Sequence, residues 1–112
     1  MKTFTNICAQ GDIVIRRIDL IPASAKAAKV ENGVYIVTHS ETGHHHIVKE
    51  KSAQHLIDET NAFISYLSVS EPTELEHLRP FDTHEPILLT PGNYEVRRQR
   101  EWVAEGFRRV ED

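Results

Sequence analysis

The segment Val34-Tyr-Ile-Val-Thr-His39, between Asn32-Gly33 and Ser40-Glu-Thr-Gly43, gives the clearest indication of the fold of this 112-residue chain. It is rich in β-branched and aromatic residues and has turn-forming residues on both sides, which is typical of a β-strand. Asn-Gly is the strongest short signal for a tight hairpin turn. Residues 44–50 follow the second turn as another strand. The sequence therefore predicts a β-hairpin with a run of histidines beside its turn.

The same kind of pattern continues on both sides of this hairpin. Residues 20–29 contain Pro22 and four alanines, which predicts a loop with at most one helical turn, and Pro91-Gly92 predicts a turn in which glycine supplies a positive φ. The tail to Asp112 fits either a helical turn or a short edge strand. Further strands are predicted at 12–18, 53–59, 62–69, 73–78, 86–90 and 94–102. Short strands with a turn about every ten residues indicate an all-β fold, a small antiparallel barrel or sandwich of six to eight strands with little helix, in one domain over 1–112.

The composition narrows the class of protein. With 39% hydrophobic and 27% charged residues, the chain resembles an ordinary soluble globular domain. No apolar stretch approaches the roughly 20 residues that a membrane helix needs. The single Cys8 and the absence of a secretory signal predict a cytoplasmic protein. Residues 41–87 hold nine acids against three bases, which disfavours nucleic-acid binding through that part of the chain.

Six of the seven histidines also lie in that acidic middle. Side chains alternate along a strand, so His44 and His46 share a face and can reach one ion. His39 ends the preceding strand, and His77 or His84 lies near a later strand end. Imidazole is the commonest protein ligand for transition metals, so the pattern predicts a site for Zn, Ni or Fe. Three histidines plus water would leave the ion open for catalysis, whereas four protein ligands would make it structural.

The motif His44-x-His46-x-x-x-Glu50 resembles the first metal-binding motif of the cupins. In those β-barrels two histidines, a glutamate and a later histidine bind the metal, so the resemblance implies a barrel fold and these ligands. The later histidine has no counterpart, because Pro91-Gly-Asn93 is followed by Tyr94. The segments 42–46 and 91–102 are also similar to small uncharacterised bacterial and prophage-type proteins, a likeness that implies no activity.

A second candidate site lies in the last long strand. Arg98 shares a face with Tyr94 and Val96 and is expected to approach the interior, whereas Arg97 faces outward with Glu95. A forked guanidinium suits a carboxylate or phosphate ligand, so Arg98 is the predicted ligand-binding residue.

Several functions remain open from the sequence. The leading hypothesis is a metal-binding β-barrel of unassigned reaction. One alternative is a non-catalytic accessory or phage-type protein that binds another protein, and a second is a metal-free hydrolase that uses a histidine pair as acid and base. Inert surface histidines would also explain the run. The partner is therefore a small molecule or a protein, and a homo-oligomer is compatible with the predicted edge strands.

Overall fold

The computed structural model describes residues 2–38, 45–77, 86–98, 100–103 and 106–109, the last two ranges by their backbone alone. All regular secondary structure in these ranges is β-strand, and the strands pair antiparallel, which confirms the predicted all-β fold. No helix long and apolar enough to cross a bilayer occurs among these residues.

Twelve strands lie within the described ranges, more than the six to eight predicted. They are β1 Ile7–Gln10, β2 Ile13–Ile18, β3 Lys26–Ala27, β4 Val34–Thr38, β5 His46–Lys49, β6 Ala53–Ile57, β7 Ile64–Val69, β8 Thr73–His77, β9 Ile87–Leu89, β10 Gly92–Arg98, β11 Arg100–Val103 and β12 Gly106–Arg109.

The strands form two main sheets and a separate hairpin. The large sheet has the order β1-β2-β10-β7-β6-β3, and the small sheet has the order β4-β5-β8-β9. Strands β11 and β12 pair with each other as a two-stranded hairpin. Fully buried residues alternate with more exposed ones along β1, β5 and β8, which shows that one face of each sheet turns inward. The arrangement is that of a small β-sandwich.

The strands that were not predicted are short, or their residues have a low intrinsic preference for β-structure. Strand β1 pairs with β2 through a two-residue turn, although Cys8 and Ala9 give it low intrinsic preference for a strand. Strand β3 is a two-residue edge within the predicted loop 20–29. The strand predicted over 94–102 is divided between β10 and β11. The Asn32-Gly33 turn is present as predicted. Its two φ angles, 52° and 79°, are both positive, as the favoured two-residue hairpin turn requires.

One hydrophobic cluster joins the inward faces of the two sheets, and each fully buried aliphatic side chain in it contributes about 1.5–3 kcal/mol. Its buried members are Cys8, Ile13, Ile15, Tyr35, Val37, Val48, Ala53, Leu67, Val69, Leu75, Ile87, Leu89, Tyr94 and Val96.

Hydrogen bonds among Arg17, Tyr94 and the turn at 90–91, here called the Arg17 clamp, fix the start of the central strand β10. Tyr94 is fully buried, and its hydroxyl donates to the carbonyl of Thr90 at 2.6 Å. The guanidinium of Arg17 donates to the Tyr94 hydroxyl at 2.7 Å and to the Pro91 carbonyl at 3.2 Å, and it lies 4.8 Å from the Tyr94 ring centre. Gly92 has a φ of 148°, and a Cβ there would collide with Nη1 of Arg17.

Replacing Gly92 with alanine should therefore destabilise the fold more than the same change at Gly33. Gly33→Ala meets only backbone strain, because nothing lies within 4 Å of the added Cβ. We expect Gly33→Ala to lower the free energy of unfolding by about 1–2 kcal/mol, the cost of a left-handed alanine. Gly92→Ala should lower it by about 2–4 kcal/mol, because the backbone strain at a φ of 148° adds to the loss of the Arg17 hydrogen bonds that the new Cβ would displace. Urea unfolding of both variants measures the difference, and equal losses would show that the Arg17 clamp yields freely.

Candidate functional site

His46 and His77 lie side by side in the interior of the small sheet. They are direct cross-strand partners on β5 and β8, so their side chains point to the same face. Their rings stack with centroids 4.0 Å apart and planes 10° from parallel. Both side chains have no exposed surface. Two adjacent buried imidazoles are uncommon, because histidine is usually only partly buried.

The tip of the β1–β2 hairpin brings two polar side chains to this pair. Gln10 and Asp12 flank Gly11, whose φ of 55° allows the tight turn, and both polar residues are buried. Oε1 of Gln10 lies 2.8 Å from Nδ1 of His46, and Oδ1 of Asp12 lies 3.0 Å from Nε2 of the same ring. Since β1 and β2 belong to the large sheet and β5 to the small one, these contacts bridge the two layers of the sandwich.

A further hydrogen bond decides where the protons of the His46 ring lie. Nε2 of Gln10 donates to the carbonyl of Leu75 at 2.9 Å, so the amide must present its oxygen to His46. An amide oxygen only accepts, and Nδ1 of His46 therefore carries a hydrogen. In a neutral ring Nε2 is then a lone pair that faces a carboxylate oxygen. Two lone pairs at this distance repel each other, so a cation belongs between Nε2 and Oδ1, either a proton or a metal ion.

The predicted metal ligands are distributed as follows. His46 and His77 are brought together, whereas His39, His44 and His84 lie outside the described residues. Glu50, the glutamate of the cupin-like motif, is exposed just beyond the far end of β5. In the part of the chain that the structure describes, no group of three or more histidine, cysteine, aspartate or glutamate side chains could hold a metal ion. The lone pairs of ring nitrogens lie in the plane of the ring. Because the two rings are stacked nearly parallel, the lone pairs of His46 and His77 lie in separate planes and do not converge on one ion in this arrangement.

Sequence reasoning missed Gln10 and Asp12. Gln10-Gly-Asp12 has the composition of an ordinary solvated turn, and polar residues around a glycine give no sign of burial. The only available signal was position, because Asp12 directly precedes a β-branched strand. Its partner His46 is 34 positions away in the chain, and only the packing of the two sheets brings them together.

The two arginines of β10 lie on opposite faces, as the alternation of side chains predicts. Arg97 is exposed and donates from Nε to Oε1 of Glu95 at 2.6 Å, and Arg16 donates to the same oxygen at 3.2 Å. Burial raises the pKa of Glu95, but these two guanidinium groups outweigh it and hold the pKa below its usual value. Arg98 is half-buried and lines a cleft that is also lined by Thr38, the cross-strand partner of His46.

Removing the Asp12 side chain should destabilise the protein much more than replacing it with an amide. In Asp12→Ala the buried Nε2 of His46 loses its partner, and we expect the free energy of unfolding to fall by about 3–5 kcal/mol, as for a broken buried ion pair. In Asp12→Asn the amide N–H can donate to the Nε2 lone pair, and the expected loss is about 1–2 kcal/mol. Urea unfolding with a chelator in every sample separates this effect from any bound metal.

Asp19→Ala is the matched control, because Asp19 is an exposed acid just beyond the other end of β2. It should change the free energy of unfolding by less than about 0.5 kcal/mol. A loss in Asp12→Ala no larger than in Asp19→Ala would show that His46 does not depend on the carboxylate.

Comparison with known proteins places the chain in one family. The comparison with curated proteins found no match, and neither did the comparison with solved structures. A family model described as a domain of unknown function, DUF8820, matches residues 9–99. The matched span includes Gln10, Asp12, His46 and His77 as well as both main sheets except the first two residues of β1, so the chain belongs to the DUF8820 family.

Proposed function

We propose that this chain binds a single divalent transition metal ion, Zn, Ni or Fe, between Nε2 of His46 and Oδ1 of Asp12. The observation that supports the proposal is the orientation of the His46 ring. Gln10 fixes Nδ1 as the protonated nitrogen, and the remaining lone pair then faces a carboxylate. Metal-binding histidines characteristically donate their second ring N–H to an oxygen that orients the ring, and Gln10 would have that role here.

The spacing of the two atoms suits a shared ion. Two ligands that lie 2.0–2.1 Å from a tetrahedral zinc ion are about 3.3 Å apart, a few tenths of an ångström more than the separation of Nε2 and Oδ1. A shift of that size needs only small side-chain rotations. Two ligands do not complete a metal shell, and the sequence offers His44, His39 and His84 as the others. In the sequence His44 is two residues from His46, the spacing that puts two side chains on one face of an extended chain, so it is the first candidate.

The burial of the site favours a structural ion. His46 has no exposed surface and Asp12 has 4%. A catalytic metal keeps a coordination position open to water and substrate, whereas a structural metal is enclosed by protein ligands. An enclosed ion that ties the β1–β2 hairpin to the small sheet would stabilise the sandwich, because its binding energy adds to the folding energy.

A proton in place of the metal is the second candidate, and the stack of His46 on His77 favours it. A protonated His46 paired with Asp12 would be a buried ion pair stacked on the His77 ring. This arrangement is the histidine pair of the metal-free hypothesis. Hydrolysis at this pair would further require access for a substrate, which the burial of both rings does not provide.

Elemental analysis of protein purified without a histidine tag tests the metal proposal. We expect about one ion per chain in the wild-type protein, as for an enclosed structural site. His46→Ala should lose it, and Gln10→Ala should lower the affinity by about 10- to 100-fold, because it leaves the ring unoriented. A chelator should lower the melting temperature of the wild-type protein and leave that of His46→Ala unchanged.

His45→Ala is the matched control from the same run of histidines. His45 is only half-buried and precedes β5, so we expect this variant to keep the ion and the response to chelator. A metal-free wild-type protein whose melting temperature ignores the chelator would contradict the proposal and leave the proton as the shared cation. Equal loss of metal in His45→Ala and His46→Ala would show that the run binds metal without the geometry described.

A further inference from the structure

A cleft of about 750 Å³ opens at one end of the sandwich, between the edge strand β4 and the ends of β6, β7 and β10. Strand β3, the outer strand of the large sheet, has only two residues, so the side of the sandwich next to β4 is incompletely covered. The loop 58–63 forms the remaining wall. Binding sites for small molecules are typically clefts of about 300–1,000 Å³, and this one falls within that range.

The lining of the cleft combines an apolar surface with a few buried polar groups. Its apolar wall includes Ile36 and Phe63. Thr38, His55 and Ser65 are the polar residues of its floor, and all three are buried. Apolar walls with a small number of fixed polar groups are characteristic of sites that hold an organic molecule, because the walls supply affinity and the polar groups supply orientation.

Two of the charged side chains that line the cleft are half-buried, Arg98 and Asp58. Oδ1 of Asp58 accepts hydrogen bonds from the hydroxyl of Thr60 at 2.6 Å and from its backbone N–H at 2.8 Å. The Asp58 carboxylate therefore stabilises the loop that begins with it, through its hydrogen bonds to Thr60. The backbone of Arg98 is fixed by its N–H, which donates to the carbonyl of Phe63 at 3.0 Å. This bond fixes the backbone of Arg98 next to Phe63, whose side chain belongs to the apolar wall.

The other charged residues of the cleft, Lys29, Glu31 and Glu59, are exposed and lie at its mouth. Charges exposed to water are screened and contribute little to binding. A partly buried guanidinium contributes more, and its fork of N–H donors matches the two oxygens of a carboxylate.

We infer that this cleft binds a small organic carboxylate with an apolar body. The carboxylate pairs with the guanidinium of Arg98, and the apolar body packs against Ile36 and Phe63. Thr38, His55 and Ser65 offer hydrogen bonds from the floor. The site is distinct from the proposed ion between His46 and Asp12, although Thr38 is the cross-strand partner of His46, and its test has a separate readout.

Octanoate and 1-octanol are suitable probes, because they share the apolar chain and differ in the carboxylate. Titration of the ¹⁵N-labelled full chain, followed by two-dimensional NMR, should give a Kd for octanoate below about 1 mM, a modest affinity for a ligand of this size. The largest shifts should occur at Thr38, His55, Ser65 and Phe63. Octanol should bind at least about tenfold more weakly, since it lacks the charge-assisted hydrogen bonds.

Arg98→Gln and Arg97→Gln form a matched pair, because the two arginines are neighbours on opposite faces of β10. We expect Arg98→Gln to raise the Kd for octanoate by at least about tenfold and Arg97→Gln to leave it within about twofold. Arg98→Lys keeps the charge without the fork and should give an intermediate Kd. If Arg98→Gln does not fold, the Kd of Arg98→Lys and the comparison of octanoate with octanol in the wild-type protein still test the role of the guanidinium.

Equal affinity for octanoate and octanol would overturn the inference, because the carboxylate would then contribute nothing. Shifts confined to other parts of the two sheets, or an equal effect of the two glutamine variants, would also overturn it. The absence of any shift at about 1 mM octanoate would overturn it too, because about 1 mM is the weakest Kd that a preformed site of this kind should show.

Discussion

The contact between His46 and the Gln10–Asp12 hairpin tip is the interaction on which the arrangement of the two sheets depends. Apolar packing holds two sheets together but is not directional, so it does not by itself specify how their ends meet. A buried polar group is costly unless each donor and acceptor finds a partner. Gln10, Asp12 and His46 are buried in positions where their partners lie in the opposite sheet or hairpin. The network therefore favours one relative position of the two sheets, since any other would leave buried polar atoms without hydrogen bonds.

The same network connects the fold to its proposed function. A cation shared by His46 and Asp12, as proposed, would neutralise the charge of a carboxylate that is buried at the hairpin tip. Thr38 links the Arg98 cleft to this network, because it lines the cleft and is the cross-strand partner of His46. In sandwiches the strand ends commonly carry function, because side chains there are held by a rigid core and remain close to the loops. The proposed ion would thus support the wall of the proposed ligand site.

Local patterns in the sequence were sufficient for the fold class and for several details of it. The Asn32-Gly33 turn, the strands on either side of the histidine run and the opposite facing of Arg97 and Arg98 follow from turn chemistry and from the two-residue period of a strand. Strand β1 was not predictable in the same way, because Cys8 and Ala9 have little strand preference and become a strand only by pairing with β2. The roles of Gln10 and Asp12 depend on a contact between distant parts of the chain, which no local pattern encodes. The sequence could identify histidines 46 and 77 as candidates, but the stacking of their rings is a property of strand register.

The decisive measurement for the contact of His46 with Gln10 and Asp12 is the location of the hydrogens on the His46 ring in solution. Long-range ¹H–¹⁵N correlation spectra of protein labelled at histidine distinguish the two ring nitrogens. We expect Nδ1 of His46 to carry a hydrogen that exchanges slowly with water, and Nε2 to show the chemical shift of a nitrogen bound to a proton or a metal ion. A neutral His46 with a bare Nδ1 and a hydrogen on Nε2 would contradict this expectation, because the Gln10 amide would then face the ring with its nitrogen and no cation would be shared with Asp12.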